Sequence, residues 1–298
     1  MKKKLIFKGV GTALVTPFKN GKIDYASLEQ IIDRQISVGI NALIVGGTTG
    51  EASTLSDEER SKLYRFSKEA TDGRIPLILG TGSNCTEKAI EYTKEAERLD
   101  ADGALIVTPY YNKGTEEGLF KHYASIAQSC SIPIILYNVP GRTGVNISLN
   151  NLTRLAAYEN IVAIKEASGS YDRLMRIAAL NEELTLYSGN DSEAYITLAL
   201  GGAGVISVVS NPFPRAMLEV TNSYLLGKIE KSYQWQKTIL PFTDALFKET
   251  NPAPVKYAMA LSGLCSGELR LPMAEVSDST KALIEKEYYR IYELSKYL

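Results

Sequence analysis

Eight short apolar segments alternate with helical segments along the chain, and this alternation constrains the fold more than any other feature of the sequence. The apolar segments are rich in Val, Ile and Leu, as expected of strands that are buried on both faces of a parallel sheet. The predicted strands cover residues 11–15, 42–45, 76–80, 104–107, 134–136, 161–164, 184–187 and 204–207. Eight strand–helix units close into a barrel more naturally than into an open sheet. We therefore predict an α/β fold, a (β/α)8 TIM barrel; the alternative is a doubly wound sheet, which usually has fewer units.

The pattern changes after residue 214, where helical segments follow one another without intervening strands. Four predicted helices cover residues 218–226, 233–247, 255–264 and 280–297. The first completes the barrel, and the other three need a surface on which to bury their apolar faces. We predict a barrel catalytic domain over residues 1–226 and a small C-terminal helical subdomain over residues 227–298, packed on the barrel.

Charge and apolar run length exclude several classes of partner. The chain has 33 Lys and Arg against 34 Asp and Glu, a net charge of −1, so neither nucleic acid nor an anionic membrane is expected to bind. No apolar run approaches the roughly 20 residues of a membrane span. The basic N-terminus is interrupted at Lys8 and Gly9 before a signal-peptide core forms. We therefore expect a cytoplasmic protein.

Histidine and cysteine are too scarce for most metal sites and for Ser-His-Asp catalysis. His122 is the only histidine, and Cys85, Cys130 and Cys265 are far apart. This pattern excludes HExxH zinc sites, thiolate zinc sites and a disulfide framework. No Walker loop is present, and no GxGxxG follows a strand, so nucleotide binding is not supported. We predict no metal site.

A lysine, Lys165, stands where the apolar run of the sixth predicted strand stops, shortly before a Ser-Gly turn. At that position the amine is expected to be partly stripped of water, which disfavours the charged ammonium form. A free amine of this kind attacks a carbonyl carbon and forms a Schiff base. The alternative is a structural lysine that reaches the surface or pairs with Glu166.

Other polar and glycine residues also follow strands at the end where barrel enzymes build their active sites. They are Thr48 and Thr49, Tyr110 and Tyr111, Tyr137 and Arg142, and Gly189, with Ile206 inside the last strand. Each of them alone is weak evidence, because tyrosines and glycine-threonine turns are common. Together they predict a catalytic site at the carboxyl ends of the strands.

The residue types suggest how such a site would work. The Gly-Gly-Thr-Thr-Gly turn around Thr48 and Thr49 offers hydroxyls and backbone N–H groups to a carboxylate. Tyr137, one strand before Lys165, is the best candidate to move protons at an imine, with a threonine and a second tyrosine as a relay. Arg142 can grip a second carboxylate with two hydrogen bonds. The pattern indicates a 2-oxo acid and a charged co-substrate.

Three motifs in this order resemble the dihydrodipicolinate synthase family of pyruvate-dependent class I aldolases, to which N-acetylneuraminate lyase is related. They are Gly47-Thr48-Thr49-Gly50-Glu51, Tyr137-Asn138-Val139-Pro140-Gly141-Arg142-Thr143-Gly144 and Ile164-Lys165-Glu166-Ala167. The resemblance runs over nearly the whole chain, from about residue 11 to residue 272. The arginine of the second motif favours the synthases over the sialic-acid lyases.

The resemblance implies a specific reaction. Pyruvate would form an imine with Lys165, and the derived enamine would attack L-aspartate 4-semialdehyde to give 4-hydroxy-tetrahydrodipicolinate, a step towards diaminopimelate and lysine. No cofactor would be needed, because the lysine supplies the electron sink. The family is typically a homotetramer, a dimer of dimers.

The resemblance also implies roles for individual residues. Tyr137, Thr48 and Tyr111 would form a proton relay, with Tyr111 supplied by a neighbouring subunit. Thr49 and Ile206 would contact pyruvate, and Arg142 would bind the semialdehyde carboxylate. Gly189 is also predicted to line the substrate site.

One departure from the family concerns feedback inhibition by lysine. Asn84 and Tyr110 match the inhibitor cleft of sensitive members, but Asp57, Arg60 and Lys88 do not. Lys88 would place a positive charge where an acid should meet the ligand's amine. We therefore expect weak inhibition or none.

Two rival functions remain open at the level of the sequence. The first is a related aldolase or lyase that uses the same Lys165 imine on a longer sugar acid, such as an N-acetylneuraminate or a 2-keto-3-deoxy acid. The second is a non-catalytic barrel that binds an oxo acid. A purely structural barrel would leave Tyr111, Tyr137 and Arg142 without a purpose.

Overall fold

The computed structural model describes residues 3–180 and 184–296, and its ordered elements alternate as predicted. The strands are β1 (Gly9–Ala13), β2 (Phe18–Lys19), β3 (Lys22–Ile23), β4 (Ala42–Val45), β5 (Leu77–Gly80), β6 (Gly103–Val107), β7 (Ile134–Asn138), β8 (Ile161–Glu166), β9 (Thr185–Ser188) and β10 (Gly204–Ser207). The helices are α1 (Tyr25–Val38), α2 (Asp57–Thr71), α3 (Thr86–Arg98), α4 (Glu116–Gln128), α5 (Pro140–Thr143), α6 (Leu149–Ala156), α7 (Tyr171–Ala178), α8 (Ala194–Ala199), α9 (Pro214–Leu225), α10 (Ile229–Leu246), α11 (Ala253–Leu261) and α12 (Asp278–Ser295). Two short 3-10 helices cover Ala52–Thr54 and Asp191–Glu193.

Eight of these strands form one closed parallel barrel. Their order around the barrel is β1, β4, β5, β6, β7, β8, β9 and β10, and β10 pairs again with β1. The predicted (β/α)8 barrel is therefore confirmed, and the open doubly wound sheet is excluded. The small antiparallel pair of β2 and β3 lies outside the barrel and was not predicted, because each of its strands has only two residues.

The closure between β10 and β1 depends on two glycines. Gly9 and Gly204 are partners in the register, and a Cβ added to Gly204 would lie only 1.8 Å from the carbonyl oxygen of Gly9. Gly204 also has φ +154°, which side chains rarely allow. Only glycine lets the two strands approach closely enough to close the barrel.

Two separate apolar clusters hold the barrel. The inner cluster fills the space enclosed by the strands and includes Ile44, Ile78, Ile135, Ala163 and Ile206. The larger outer cluster lies between the strands and the surrounding helices. Since side chains along a strand alternate between the two faces, each barrel strand contributes to both clusters, which explains its continuous apolar sequence.

Local signals set several helix ends. The Asp24 carboxylate accepts a hydrogen bond from the Ser27 backbone N–H at the start of α1. Ser56 and Glu59 form a capping box at the start of α2. Such caps satisfy backbone N–H groups that the helix itself leaves without partners.

Three helices follow α9, in the part of the chain predicted to be a helical subdomain. Helix α10 packs on α9, and α12 packs on α10 and α11. The boundary between residues 226 and 227 stays a prediction. Within the described residues no helix is long and apolar enough to cross a membrane.

Candidate active site

Lys165 is the penultimate residue of β8, and its side chain lies inside the barrel. In the register it is the neighbour of Tyr137 on β7 and of Tyr187 on β9, both of which belong to the inner cluster. Lys165 is 5% exposed, and its Nζ lies 4.2 Å from the centre of the Tyr137 ring. The strand runs on through Glu166, one residue past Lys165, so the lysine is enclosed by the barrel more deeply than a residue at a strand end.

The neighbouring Glu166 does not pair with Lys165. Alternation along the strand turns its carboxylate to the outer face, where it accepts hydrogen bonds from Arg173 Nε at 2.8 Å and from Asn138 Nδ2 at 3.0 Å. It also accepts from the Ser168 backbone N–H. The structural alternative of a Lys165–Glu166 ion pair is therefore excluded.

Two tyrosines flank Lys165, and their hydroxyls differ in availability. The Tyr187 hydroxyl donates to the Phe7 carbonyl oxygen at 2.6 Å, and the two rings stack. The Tyr137 hydroxyl makes no hydrogen bond to any residue in the described ranges. Of the two phenols, only Tyr137 is free to exchange protons with a bound molecule.

The turn after β4 presents unused hydrogen-bonding groups. Within the turn, the backbone N–H groups of Gly50, Glu51 and Ala52 donate hydrogen bonds to carbonyl oxygens of the same turn. The backbone N–H groups of Thr48 and Thr49, and the Thr48 hydroxyl, donate to nothing in the described part of the chain. Successive free N–H groups in a turn form a cradle for an anion.

Asn251 joins this turn to Arg142. Its side-chain Nδ2 donates to the Thr49 hydroxyl oxygen at 3.0 Å. Its main-chain carbonyl oxygen accepts from Arg142 Nη2 at 2.8 Å. Asn251 is 4% exposed, and its side-chain oxygen has no partner among the described residues. Residues from three distant parts of the chain are thus held at one place.

Thr48, Tyr137 and Arg142 line one cavity of about 260 Å³ at the mouth of the barrel. Arg142 reaches it from the short helix α5, which begins with Pro140. Lys165 is connected to this group through its contact with the Tyr137 ring. Thr48, Tyr137 and Arg142 therefore meet at one cavity, and the Lys165 amine lies against the Tyr137 ring; that these residues form a catalytic site stays a prediction.

Gly189 and Ile206 lie beside the lysine. A Cβ added to Gly189 would stand 3.1 Å from Lys165 Cε and 2.6 Å from Ala167 Cβ, so a larger residue would displace the lysine. Ile206 is fully buried in the inner cluster with Tyr137. Both occupy places where they can shape the space around the amine.

Tyr111 is the one predicted site residue that the single chain does not bring to the others. It is 90% exposed with φ +73°, and it does not line the cavity, whereas its neighbour Tyr110 does. A left-handed conformation is unusual for an aromatic residue. The turn therefore directs Tyr111 outward at the expense of backbone strain.

Asp191 and His122 are among the buried titratable groups whose pKa values are shifted. Burial raises the pKa of Asp191, while hydrogen bonds from Ser207 and from the Val208 backbone, together with the charge of Lys165, oppose the rise. Burial lowers the pKa of His122 to about 4, and its Nδ1 contacts the Thr86 hydroxyl at 2.9 Å. His122 lies on α4 and takes no part in the cavity.

Asn251 and Asp191 are the site residues that the sequence analysis missed. Nothing in the local sequence identifies either, because the partners of Asn251 are 202 and 109 residues away.

Comparisons with known proteins show similarity over nearly the whole chain. The model of the dihydrodipicolinate synthetase family matches residues 6–288. A 4-hydroxy-tetrahydrodipicolinate synthase of Clostridium novyi is 46% identical over 281 residues, which cover 94% of this chain and 95% of the relative. The one from Thermotoga petrophila is 47% identical over 284 residues, covering 94% and 97%. The crystal structure of dihydrodipicolinate synthase from Thermotoga maritima superposes with a TM-score of 0.93 at 46% identity, covering 96% of this chain and 98% of that one.

Proposed function

The chain belongs to the dihydrodipicolinate synthetase family, and we propose that this enzyme condenses pyruvate with L-aspartate 4-semialdehyde through a Schiff base on Lys165. The observation that carries the proposal is the placement of the Lys165 amine, which is buried, unpaired with Glu166, and in contact with the Tyr137 ring. The product is 4-hydroxy-tetrahydrodipicolinate, in the route to diaminopimelate and lysine.

The first step forms the imine. The Lys165 amine attacks the keto carbon of pyruvate, and the carbinolamine loses water to give the protonated imine.

Loss of a proton from the pyruvate methyl group then gives the enamine. Its methylene carbon attacks the aldehyde carbon of the semialdehyde, whose oxygen takes up a proton. Attack of the semialdehyde amine on the former keto carbon closes the ring and releases Lys165 unchanged, so no cofactor is consumed.

The turn after β4 is the proposed seat of the pyruvate carboxylate. The free N–H groups of Thr48 and Thr49 and the Thr49 hydroxyl, which is held by Asn251, can hydrogen-bond both carboxylate oxygens. Ile206 and Gly189 close the space next to the lysine. A fixed carboxylate sets the keto carbon at a constant distance from the amine, which favours attack.

Tyr137 is the proposed proton carrier for carbinolamine dehydration and enamine formation. Its hydroxyl has no protein partner within the described ranges, and the Thr48 hydroxyl in the same cavity is likewise uncommitted. The relay is completed by Tyr111, which we assign to the site of a neighbouring subunit, because it projects from its own chain. This assignment requires an oligomer, for which we propose a homotetramer built as a dimer of dimers.

Arg142 is the proposed anchor for the carboxylate of L-aspartate 4-semialdehyde. One of its terminal nitrogens is engaged by the Asn251 carbonyl oxygen, which orients the guanidinium towards the cavity without neutralising it.

Through Asn251, residues 227–298 support both substrate subsites, and we propose that they act as a helical subdomain for this purpose. We place the enzyme in the cytoplasm, where pyruvate and amino-acid precursors are made.

A direct rate assay tests the proposal. Purified protein is supplied with pyruvate and L-aspartate 4-semialdehyde, and product formation is coupled to a reductase. In parallel, pyruvate and N-acetylmannosamine are supplied to test the rival lyase activity. A rate with the semialdehyde at least 100-fold higher supports the proposal. A higher rate with the sugar would contradict it.

A further inference from the structure

The Glu166 carboxylate, on the outer face of β8, is completely buried and takes no part in the proposed reaction. It accepts hydrogen bonds from Asn138 Nδ2 at 3.0 Å, from the Ser168 backbone N–H at 2.8 Å and from Arg173 Nε at 2.8 Å. A buried ion pair of this kind adds little net stability, because apolar residues of similar volume often replace one without loss. What the pair fixes is geometry, since its hydrogen bonds join the end of β7, the turn after β8 and α7.

Glu166 determines which way the Asn138 amide points. An ionised carboxylate only accepts hydrogen bonds, so the NH2 group of Asn138 faces Glu166. The amide oxygen is thereby turned away from Glu166, and it accepts a hydrogen bond from the Ile147 backbone N–H at 3.0 Å. Asn138 and Ile147 are both completely buried, so water does not compete for this bond. The carboxylate thus acts on Ile147 without touching it.

Arg173 holds the other main-chain group of Ile147. Its Nη2 donates to the Ile147 carbonyl oxygen at 2.6 Å, while its Nε donates to Glu166. The planar, rigid guanidinium allows one side chain to join a carboxylate and a carbonyl oxygen in a fixed geometry. Asn138, Glu166 and Arg173 therefore form what we call the Ile147 clamp, which binds both the N–H and the C=O of Ile147.

The Ile147 clamp closes the loop that carries Arg142. This loop leaves the barrel after Asn138 and returns to the Asn138 side chain at Ile147, nine residues later. Three residues of the loop line the active-site cavity, namely Val139, Arg142 and Thr143. Asn251 holds only the end of the Arg142 side chain, whereas the clamp holds the main chain from which that side chain extends. The cavity wall at Arg142 is therefore fixed at both levels.

We propose that Glu166 and Arg173 are positioning residues for the second substrate, and that through the Ile147 clamp they place the Arg142 guanidinium where it binds the carboxylate of the aldehyde. The inference rests on the proposed function, in which Arg142 binds the carboxylate of L-aspartate 4-semialdehyde. No hydrogen bond among the described residues joins the side chains of the clamp to the turn after β4, where the pyruvate carboxylate is proposed to bind. Loss of the clamp should therefore weaken the binding of one substrate and spare the other.

Steady-state kinetics of Arg173→Met tests this selectivity. Arg176→Met is the matched control, because Arg176 lies one turn further along α7, is exposed and pairs with Asp172. In Arg173→Met we expect the KM for the semialdehyde to rise about tenfold, since small displacements of a binding group are costly, and the KM for pyruvate to change by less than about twofold. Arg176→Met should leave both KM values unchanged. Equal rises of both KM values in Arg173→Met would overturn the proposal.

A double-mutant cycle with Arg142→Gln separates positioning from a general loss of structure. If the clamp acts through Arg142, adding Arg173→Met to Arg142→Gln should raise the KM for the semialdehyde by less than about twofold. Effects that multiply in full would overturn the proposal. If Arg173→Met does not fold, the same cycle is run with Arg173→Lys, which keeps a positive charge beside Glu166 but cannot join it to Ile147 with a planar fork; it should again raise only the KM for the semialdehyde.

Amide hydrogen exchange of residues 139–147 tests the clamp without substrates. Exchange in this loop should be about tenfold faster in Arg173→Met than in the wild type, because an opening of the loop then costs less free energy, and it should be unchanged in Arg176→Met. Unchanged exchange in Arg173→Met would overturn the proposal. A wild type that turns over no semialdehyde would refute the proposed function and the role of the clamp for that substrate, whereas the exchange result still decides whether the clamp fixes the loop.

Discussion

The Nζ atom of Lys165 lies 4.2 Å from the centre of the Tyr137 ring, and the two residues are direct neighbours across β7 and β8. The contact follows from the barrel register, since cross-strand partners point to the same face. It places the Lys165 amine next to a phenol whose hydroxyl has no partner in the described part of the chain. The chemistry of an imine, which needs both an amine and a proton carrier, can therefore take place within one pair of adjacent strands.

Tyr137→Phe removes the proposed proton carrier while keeping the ring against Lys165. We expect kcat to fall about 100-fold or more, as is usual when a general acid–base group is lost, with little change in the melting temperature. Steady-state kinetics with both substrates measures the fall. Tyr187→Phe is the matched control, because the Tyr187 hydroxyl, on the other side of Lys165, bonds among the described residues only to the backbone of Phe7: it donates to the carbonyl oxygen and accepts from the N–H. This variant should lose stability and keep its rate. A near-normal rate for Tyr137→Phe would remove its assigned role.

Asn251→Ala breaks the side-chain hydrogen bond to Thr49 and keeps the main-chain contact with Arg142. A hydrogen bond of this kind contributes about 1 kcal/mol, so we expect the KM for pyruvate to rise about fivefold, with a smaller change for the semialdehyde. Asn150→Ala is the control. It removes an exposed side-chain amide whose Nδ2 makes one long hydrogen bond, to Glu116 Oε1 at 3.3 Å. In a double-mutant cycle the effects of Asn251→Ala and Thr49→Val should not add. Full additivity would argue against the link.

L-Lysine should inhibit the enzyme weakly or not at all. The Lys88 ammonium is held by Asp57 at 2.9 Å and by Glu91 at 3.0 Å, at a position where an acid would be needed to receive the amine of the inhibitor. Like charges at this position oppose binding. The initial rate measured over a lysine series at fixed substrates tests this expectation. A steep loss of rate at low lysine concentration would contradict it.

His122 should make the protein less stable as the solution becomes acidic. Burial lowers its pKa to about 4, so between the unfolded value of about 6.5 and pH 4 the unfolded chain binds a proton that the folded chain does not. This difference removes about 2 kcal/mol of stability between pH 7.5 and pH 5. Urea unfolding at the two pH values, compared for the wild type and His122→Asn, isolates the effect because the chain has a single histidine. The variant should lose less stability on acidification; an equal loss would show that His122 is not involved.

The barrel could be predicted from the sequence because its signals are local. Each strand is a short run of apolar residues, and the caps at Asp24 and Ser56 are formed with residues three positions away. Lys165 also stands out in the sequence, because it is a charged residue near the end of a buried strand; its catalytic role stays a prediction. The exact end of β8 could not be predicted from the sequence. The outward-facing Glu166 is held by hydrogen bonds from Arg173 and Asn138, and the strand therefore continues beyond its apolar run.

The supports of the site could not be predicted, because they depend on contacts between distant segments. Asn251 meets Thr49 across 202 residues, and the buried Lys256–Glu51 ion pair joins α11 to the turn after β4 across 205. No local pattern indicates such pairs, and a lysine in an otherwise apolar helix is equally compatible with exposure.

Trapping of the imine tests the central claim most directly. The protein is incubated with pyruvate and sodium borohydride, digested, and analysed by mass spectrometry, with Lys165→Met treated in the same way. We predict that the peptide containing Lys165 gains the mass of one reduced pyruvate adduct, and that the variant shows neither the adduct nor turnover. An unmodified Lys165 peptide from active protein, or an adduct on another lysine with full activity in the variant, would contradict the account.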